Sequence, residues 1–256
     1  MTEKLEHFIP ITLDEMKGIR LMNRTDTKFV TTRARLAMLL DMARGEYRVQ
    51  ETLGERNIRY QTTYFDTEGL EMYHAHQAGR LNRQKIRFRT YVSSQLQFME
   101  VKTKNNHGRT KKKRIHVEDM DLCDREKCAF LREHLRYDVQ TLRPAVWNSF
   151  DRITLVNQAK TERLTIDTNL HFRRLTTGQE KHAEDLVVIE LKRDGLCPSP
   201  ILAMLRELRI FPHGFSKYCM GMALTDDELR KNRIKPKLIE VEKTMRRDGA
   251  SLHLSL

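Results

Sequence analysis

LNRQKIRFRTY, residues 81–91, decides the fold. Arg83, Lys85, Arg87 and Arg89 stand at every second position, with Ile86 and Phe88 between them. In a β-strand, residues two apart point to the same face. The segment therefore reads as a strand with one cationic face and one apolar face. The pattern repeats outward from it. Glu100, Lys102 and Lys104 alternate with Met99 and Val101 in FMEVKTK (98–104). Lys112, Arg114 and His116 alternate with Ile115 and Val117 in TKKKRIHV (110–117), and Glu190 and Lys192 with Ile189 and Leu191 in VVIELKR (187–193). Like charges on neighbouring strands repel, so a shared cationic face implies an anion that it binds. Phosphate is the anion that fits best.

Composition agrees. The chain has 256 residues, of which 39% are hydrophobic and 32% charged, and carries a formal charge of +12. That length can build a sizeable core, and no Pro/Gly/Ser-rich linker divides it, so one domain over 1–256 is expected. The positive balance implies an acidic partner. No apolar run approaches the roughly 18 residues that cross a bilayer. The opening MTEKLEHFIPIT lacks the apolar stretch of a secretory signal. Cys123, Cys128, Cys197 and Cys219 form no CxxC pair, which reads as free thiols in a reducing cytoplasm.

Along the chain, TLDE (12–15) is a capping box that opens a helix over 13–20. Residues 23–30 read as a strand, and Thr32 caps a helix to about Ala43. YRVQ and 57–65 are strand-like, and Asp66–Thr67 caps a helix over 68–77. Strands follow at 82–92, 95–104 and 109–118, then a helix at 124–136. Strands 146–157 and 161–173 pair, and 185–192 is a further strand. Pro198 opens a helix with Leu202, Leu205 and Leu208. A last helix starts near Ser216, and Leu238, Val241 and Met245 suggest one more that docks. The count is eight strands without a parallel βαβ rhythm. This predicts an α+β fold built on an antiparallel sheet. Closing that sheet into an eight-stranded barrel puts the basic residues inside a tunnel, with helices over the apolar outside.

Nine blocks in order then resemble a known family: RTDTK (24–28), TTYFDT (62–67), YHAH with Gly79 (73–79), RQKIRFRTY (83–91), FMEVKTK (98–104), FDR (150–152), RLTIDTNL (163–170), VIELK (188–192) and FSKY (215–218). Together they are similar to the VTC domain, the polyphosphate polymerase domain of the CYTH-like triphosphate tunnel metalloenzymes, over roughly 20–224. The resemblance implies an antiparallel tunnel whose basic side chains hold a triphosphate and whose acids hold a divalent metal, Mn²⁺ or Mg²⁺. It implies ATP as donor and polyphosphate as acceptor. By motif, Arg87, Arg89, Lys102, Arg152, Arg163 and Lys217 are the expected catalytic residues. Arg24, Lys28, Arg83, Lys85, Lys104, Lys112, Arg114 and Lys192 are the expected phosphate-binding residues. Glu190, Glu100 and Asp26 are the candidate metal ligands. In hydrolytic relatives the first strand reads ExExK. Here it is RTDTK, which favours the polymerase branch and leaves the metal count open.

These positions put fourteen basic side chains against three acids on the inward faces. Such an excess suits a threading polyphosphate better than a lone triphosphate. Arginines grip phosphate oxygens bidentately and lysines act as point charges. Glu100 has a second reading as the partner of Lys102 or a cross-strand arginine, and Asp167 reads as the acid that orients Arg163 or Arg152. His74, His76 and His107 read as surface or satisfied residues. Two other functions stay open: a triphosphatase, and a non-catalytic module that binds polyphosphate or inositol phosphates. Nucleic acid is not expected, because the inward positions carry almost no aromatics for base stacking. A pore-feeding polymerase would require a separate membrane partner.

Overall fold

The computed structural model describes residues 2–17, 19, 24–107, 109–195 and 197–254, with the side chain of Arg24 outside that set. The phosphate-binding role expected of Arg24 therefore lies outside the described residues. The strands are β1 (Ile9–Ile11), β2 (Arg24–Thr32), β3 (Tyr47–Gln50), β4 (Ile58–Thr67), β5 (Arg83–Tyr91), β6 (Leu96–Lys104), β7 (Thr110–His116), β8 (Leu142–Asn157), β9 (Glu162–Arg174), β10 (Glu180–Ala183) and β11 (Leu186–Asp194). The helices are α1 (Thr2–Glu6), α2 (Leu13–Met16), α3 (Arg33–Ala43), α4 (Glu71–Gln77), α5 (Arg125–His134), α6 (Pro200–Glu207), α7 (Lys217–Leu224) and α8 (Lys235–Arg246).

Eight strands form one antiparallel path, in the order β2-β11-β9-β8-β4-β5-β6-β7. β1 and β3 extend it beside β8, and β10 hangs on β9. The expected closed barrel is not formed: among the described residues no hydrogen-bonded ladder joins β7 to β2. The sheet curls into a trough instead. Lys102 on β6 feels both Glu190 on β11 and Lys28 on β2, so the two ends of the path face one another across its interior.

The local signals explain most elements. Thr12 and Glu15 form the reciprocal capping box, and the Thr32 hydroxyl accepts from the Arg35 N–H. Ser216 does the same for Cys219 at the start of α7. The helix expected to open at Pro198 opens at Pro200, with Ser199 before it. The α4 helix starts later than expected, after Leu70 at φ 53°, and Asp66 accepts from the N–H groups of Thr67, Met72 and Tyr73. The short α1, β1 and β10 carry no periodicity long enough to announce them.

The outer face of β2, β11, β9 and β8 is apolar, and α1, α3 and α6 cover it. Leu36, Leu39, Leu40, Ile153, Leu164, Ile166, Ile189 and Leu205 meet there, all essentially fully buried. Each such side chain contributes roughly 1.5–3 kcal/mol on leaving water.

The inner face has two halves. In register, Glu190 stands beside Lys28 and Val188 beside Val30, so charge gives way to aliphatic groups within one step of the pleat. On β9 the switch needs a bulge. Ser149 pairs with His171 but Asp151 with Thr168, so two residues of β9 oppose Phe150, and Asn169 takes φ 52° to make the kink. Beyond it the parity reverses. Leu170 and Phe172 turn inward and join Val30 and Val188 in one core with Met222 of α7 and Leu238, Val241 and Met245 of α8. Gly221 lets α7 settle there: a Cβ at that position would lie 2.7 Å from Phe172 Cδ1. The two helices thus stopper one end of the trough.

Candidate functional site

The remaining half of the trough is lined with charge. Three of its acids are held in a repeated unit of one carboxylate between two cations. Glu100 on β6 receives Arg87 of β5 at 2.5 Å on one oxygen and Lys112 of β7 at 2.9 Å on the other, and its side chain is 1% exposed. The strand register builds this unit: Glu100 lies directly across from Arg87, and Lys112 is diagonal to it on β7, two residues before its direct neighbour Arg114. On β9, Asp167 receives Arg152 of β8 through two hydrogen bonds, of 2.6 and 2.8 Å, and also Lys217, the first residue of α7. On β11, Glu190 receives the ammonium groups of Lys28 and Lys192, one on each oxygen.

Electrostatics follow from these contacts. Burial alone would raise each acid, but the paired cations win. Glu100 is held down to about 2 by Arg87, Arg89 and Lys112, and Asp167 and Glu190 lie below the ordinary carboxylate range through their own pairs. All three acids are ionised at neutral pH.

Among the described residues, several site cations have no carboxylate in contact, and Lys85, Arg89 and Lys102 are those with burial-depressed pKa values. Lys85 donates to the Ser216 hydroxyl at 2.8 Å. Arg89 is buried, makes a long 3.5 Å bond to Thr62 and rests over the rings of Tyr60 and Phe150, 5.4 and 5.9 Å away. Lys102 makes no hydrogen bond or ion pair among the described residues. Burial depresses all three, and neighbouring cations depress them further: Arg87 and Arg152 around Arg89, Arg83 and Arg87 around Lys85. Lys102 opens into the trough, but the enclosing walls and the nearby Arg87, Lys28 and Lys85 outweigh Glu190 and bring it to about 8.

The other expected residues take their places by register. Arg163 lies directly across from Lys192, and Lys192 across from Asp26. Lys104 pairs with Arg83 at the mouth end of β5 and β6, and Arg83 donates to the Arg80 carbonyl. Arg114 packs over Phe98 at 4.5 Å, on the edge strand with Lys112. His74 and His107 are exposed, whereas His76 Nδ1 is buried without a hydrogen-bond partner, and burial beside Lys85 holds the ring neutral, down to about 2.

The inner face is more aromatic than the sequence suggested. Tyr60 and Phe150 stack at 5.4 Å under Arg89 and Arg152, and the Tyr64 hydroxyl reaches Arg87 at 3.5 Å. Lys217 lies 4.3 Å from the Phe150 ring. These rings floor the charged half where it meets the stopper. Their signal was parity: Tyr60 and Tyr64 are two and four positions along one strand face from Thr62 and Tyr60, and Phe150 is two from Arg152.

Nine sequence blocks and this register of basic strands meet in a single observation. The VTC domain matches residues 23–226. The chain belongs to the VTC domain family. Its resemblance to solved structures is more distant. A candidate adenylate cyclase from Bacillus halodurans is 15% identical, with a TM-score of 0.49 over 76% of this chain and 96% of that one. A candidate adenylyl cyclase from Hippeastrum, described with a dominant triphosphatase activity, is 12% identical, with a TM-score of 0.47 over 78% and 94%. The PH1819 protein of Pyrococcus horikoshii is 11% identical, with a TM-score of 0.44 over 77% and 97%. No curated protein matches the sequence. The α8 helix lies beyond the VTC match, yet it supplies part of the stopper and ties back to α3 through Asp248, which accepts from Arg35 and Thr32.

Proposed function

We propose that this VTC domain protein transfers the γ-phosphate of ATP to the end of a polyphosphate chain lying along the trough, assisted by Mn²⁺ or Mg²⁺. The observation that carries the reading is the surplus of positive charge. Glu100, Asp167 and Glu190 are each shared by two cations, and Lys85, Arg89 and Lys102 have no carboxylate in contact. Phosphoryl transfer asks for two anions in line and for their charge to be neutralised, with little covalent work from the protein. A polyphosphate end beside the triphosphate of ATP meets that surplus better than a triphosphate and a water.

In this reading Arg87 and Arg152, each fixed by its own carboxylate, present guanidinium groups to phosphate oxygens. Arg89 and Lys102 take the most poorly compensated anionic positions, and Lys85, Lys217 and Arg163 hold the neighbouring phosphates. The attacking polyphosphate oxygen is already ionised, so no general base is needed. The trough serves as the family's tunnel, its open side lying between β7 and β2.

The donor set fits a hard cation. Glu190 offers two carboxylate oxygens, and Asp26 sits diagonally across the β2–β11 ladder. Phosphate oxygens can take over the ammonium groups of Lys28 and Lys192 and release Glu190 to the metal. Glu100 keeps both oxygens on Arg87 and Lys112, so its part is to position Arg87. Held by Glu190 and Asp26, the metal would supply positive charge that offsets the negative charge developing at the transferring group. No helix among the described residues is long and apolar enough to cross a membrane. Work in the cytoplasm, or beside a separate membrane protein that takes the product, fits the same proposal.

The test is ³¹P NMR of products from ATP and Mn²⁺. Chain phosphate should dominate over orthophosphate, and Glu190→Gln should abolish turnover while the fold is retained. Orthophosphate as the main product would replace the polymerase reading with a triphosphatase. Tight polyphosphate binding with no product would leave a binding module.

A further inference from the structure

The bulge at Asn169 that turns Phe172 inward turns His171 outward, away from the charged trough. There it meets β10. His182 stands directly across the ladder from His171, and Glu180, two residues earlier on the same face, stands across from Arg173. His171 Nε2 is 3.0 Å from Glu180 Oε2, and His182 Nε2 is 3.8 Å from the same oxygen. The ligand atoms of all three residues lie within 4.8 Å of one another.

We propose that His171, Glu180 and His182 bind one borderline divalent ion of the zinc, nickel or cobalt class, outside the catalytic trough. Two imidazoles and a carboxylate with one position left for water are a donor set such ions take. Metal–ligand bonds of about 2.0–2.2 Å in a tetrahedron set neighbouring donors roughly 3.3–3.6 Å apart. The two Glu180–imidazole separations bracket that range, and turning the stacked imidazoles out of parallel would bring both lone pairs onto the ion. The positions are pre-set by the antiparallel ribbon. The two imidazoles stack at 3.8 Å with 15° between planes, and the Trp147 ring stands edge-on to His171 at 5.3 Å. Glu180 also divides its oxygens: Arg173 lies 3.9 Å from Oε1, while both imidazoles face Oε2. Arg173 is half exposed and can keep its side of the carboxylate without blocking the ion.

The ion would fasten β10 to β9 on the outside while Ala183 and Phe172 of the same strands pack inward against the stopper. It is a soft–borderline site set apart from the hard oxygen donors of Glu190 and Asp26, so excess Mg²⁺ separates the two.

Titration of the full chain with Zn²⁺ in excess Mg²⁺, followed by calorimetry and melting temperature, tests it. One equivalent should bind and raise the melting temperature. The double variant His171→Ala, His182→Ala should bind more than about 100-fold more weakly, at or beyond the upper end of what loss of a mere supporting group costs. Co²⁺ should give a tetrahedral visible spectrum in the wild type and none in that variant. Cys123→Ser, which removes the one exposed thiol, should change neither reading. Stoichiometric Zn²⁺ binding retained by the histidine variant, or no binding by the wild type, would overturn the site.

Discussion

Along β2 and β11 the same sheet face carries Lys28 beside Glu190 in one half of the trough and Val30 beside Val188 in the other. The apolar half is filled by α7 and α8 and keeps water out without needing a partner. The charged half is filled by its own ions, arranged so that Glu100, Asp167 and Glu190 each answer two cations while Lys85, Arg89 and Lys102 touch no carboxylate. Stability is therefore concentrated in the stopper and the outer core. The charged half is held in a state that an anion improves. The comparison teaches that one face can be both anchor and site if the boundary between them is sharp, and the bulge at Asn169 makes it sharp on β9.

The largest expected effect is in the stopper. Phe172 is fully buried against Gly221 of α7. Phe172→Ala should lower unfolding free energy by about 3–5 kcal/mol through the cavity it leaves. Chemical denaturation measures this. A loss under about 1 kcal/mol would mean that α7 is not an anchor.

Next comes an acid of the charged half. Asp167→Ala leaves Arg152 and Lys217 facing each other without their shared carboxylate. Breaking such a buried pair costs about 3 kcal/mol or more. Here, unlike the stopper, the loss should be recovered by tripolyphosphate, because an anion can replace a carboxylate but cannot refill a cavity. If tripolyphosphate stabilises the Asp167 variant no more than the wild type, the unit of one acid between two cations does not mark an anion site.

The two halves should also differ in sign. Arg89 is buried over aromatic rings with no carboxylate in contact. Arg89→Leu should leave the ligand-free protein unchanged or stabilise it by about 1 kcal/mol, since an ill-compensated buried charge is exchanged for an apolar group. Polyphosphate binding should weaken in the same variant. A clear destabilisation without ligand would make Arg89 structural.

Much of this division was legible in the sequence, for a physical reason. A strand has a period of two, so Arg87 beside Phe88 or Lys102 beside Val101 assigns both faces at once. The capping box at Thr12 and the N-caps at Thr32 and Ser216 set three helix starts. What the sequence hid was long-range. Asn169 sits in TIDTNL like any strand residue, and only its pairing with β8 shows the reversal that makes His171 outward and Phe172 inward. Sheet closure was over-read, because parity fixes faces but says nothing about whether the edge strands β7 and β2 meet. Asp167 was read as a structural acid, and the structure adds Lys217, 50 residues away, to its partners.

The smallest effect is a proton. Lys102 sits near 8 in the ligand-free trough, below its ordinary 10.5. Between these values the folded protein binds fewer protons there than the unfolded chain, so the ligand-free protein should gain stability as pH rises through that window. A polyanion reverses the balance. Placed beside Lys102 it favours the ammonium form and raises its pKa, so binding near pH 8.5 should take up protons. Affinity should then fall as pH climbs above 8, by up to about tenfold per unit. Calorimetry of tripolyphosphate binding in two buffers of different ionisation enthalpy reads the uptake directly. Lys102→Arg, whose guanidinium stays charged throughout, should bind with the same heat in both buffers apart from the common background. Equal heats for the wild type would place the bound phosphates away from Lys102 and confine the anion site to the arginine side of the trough.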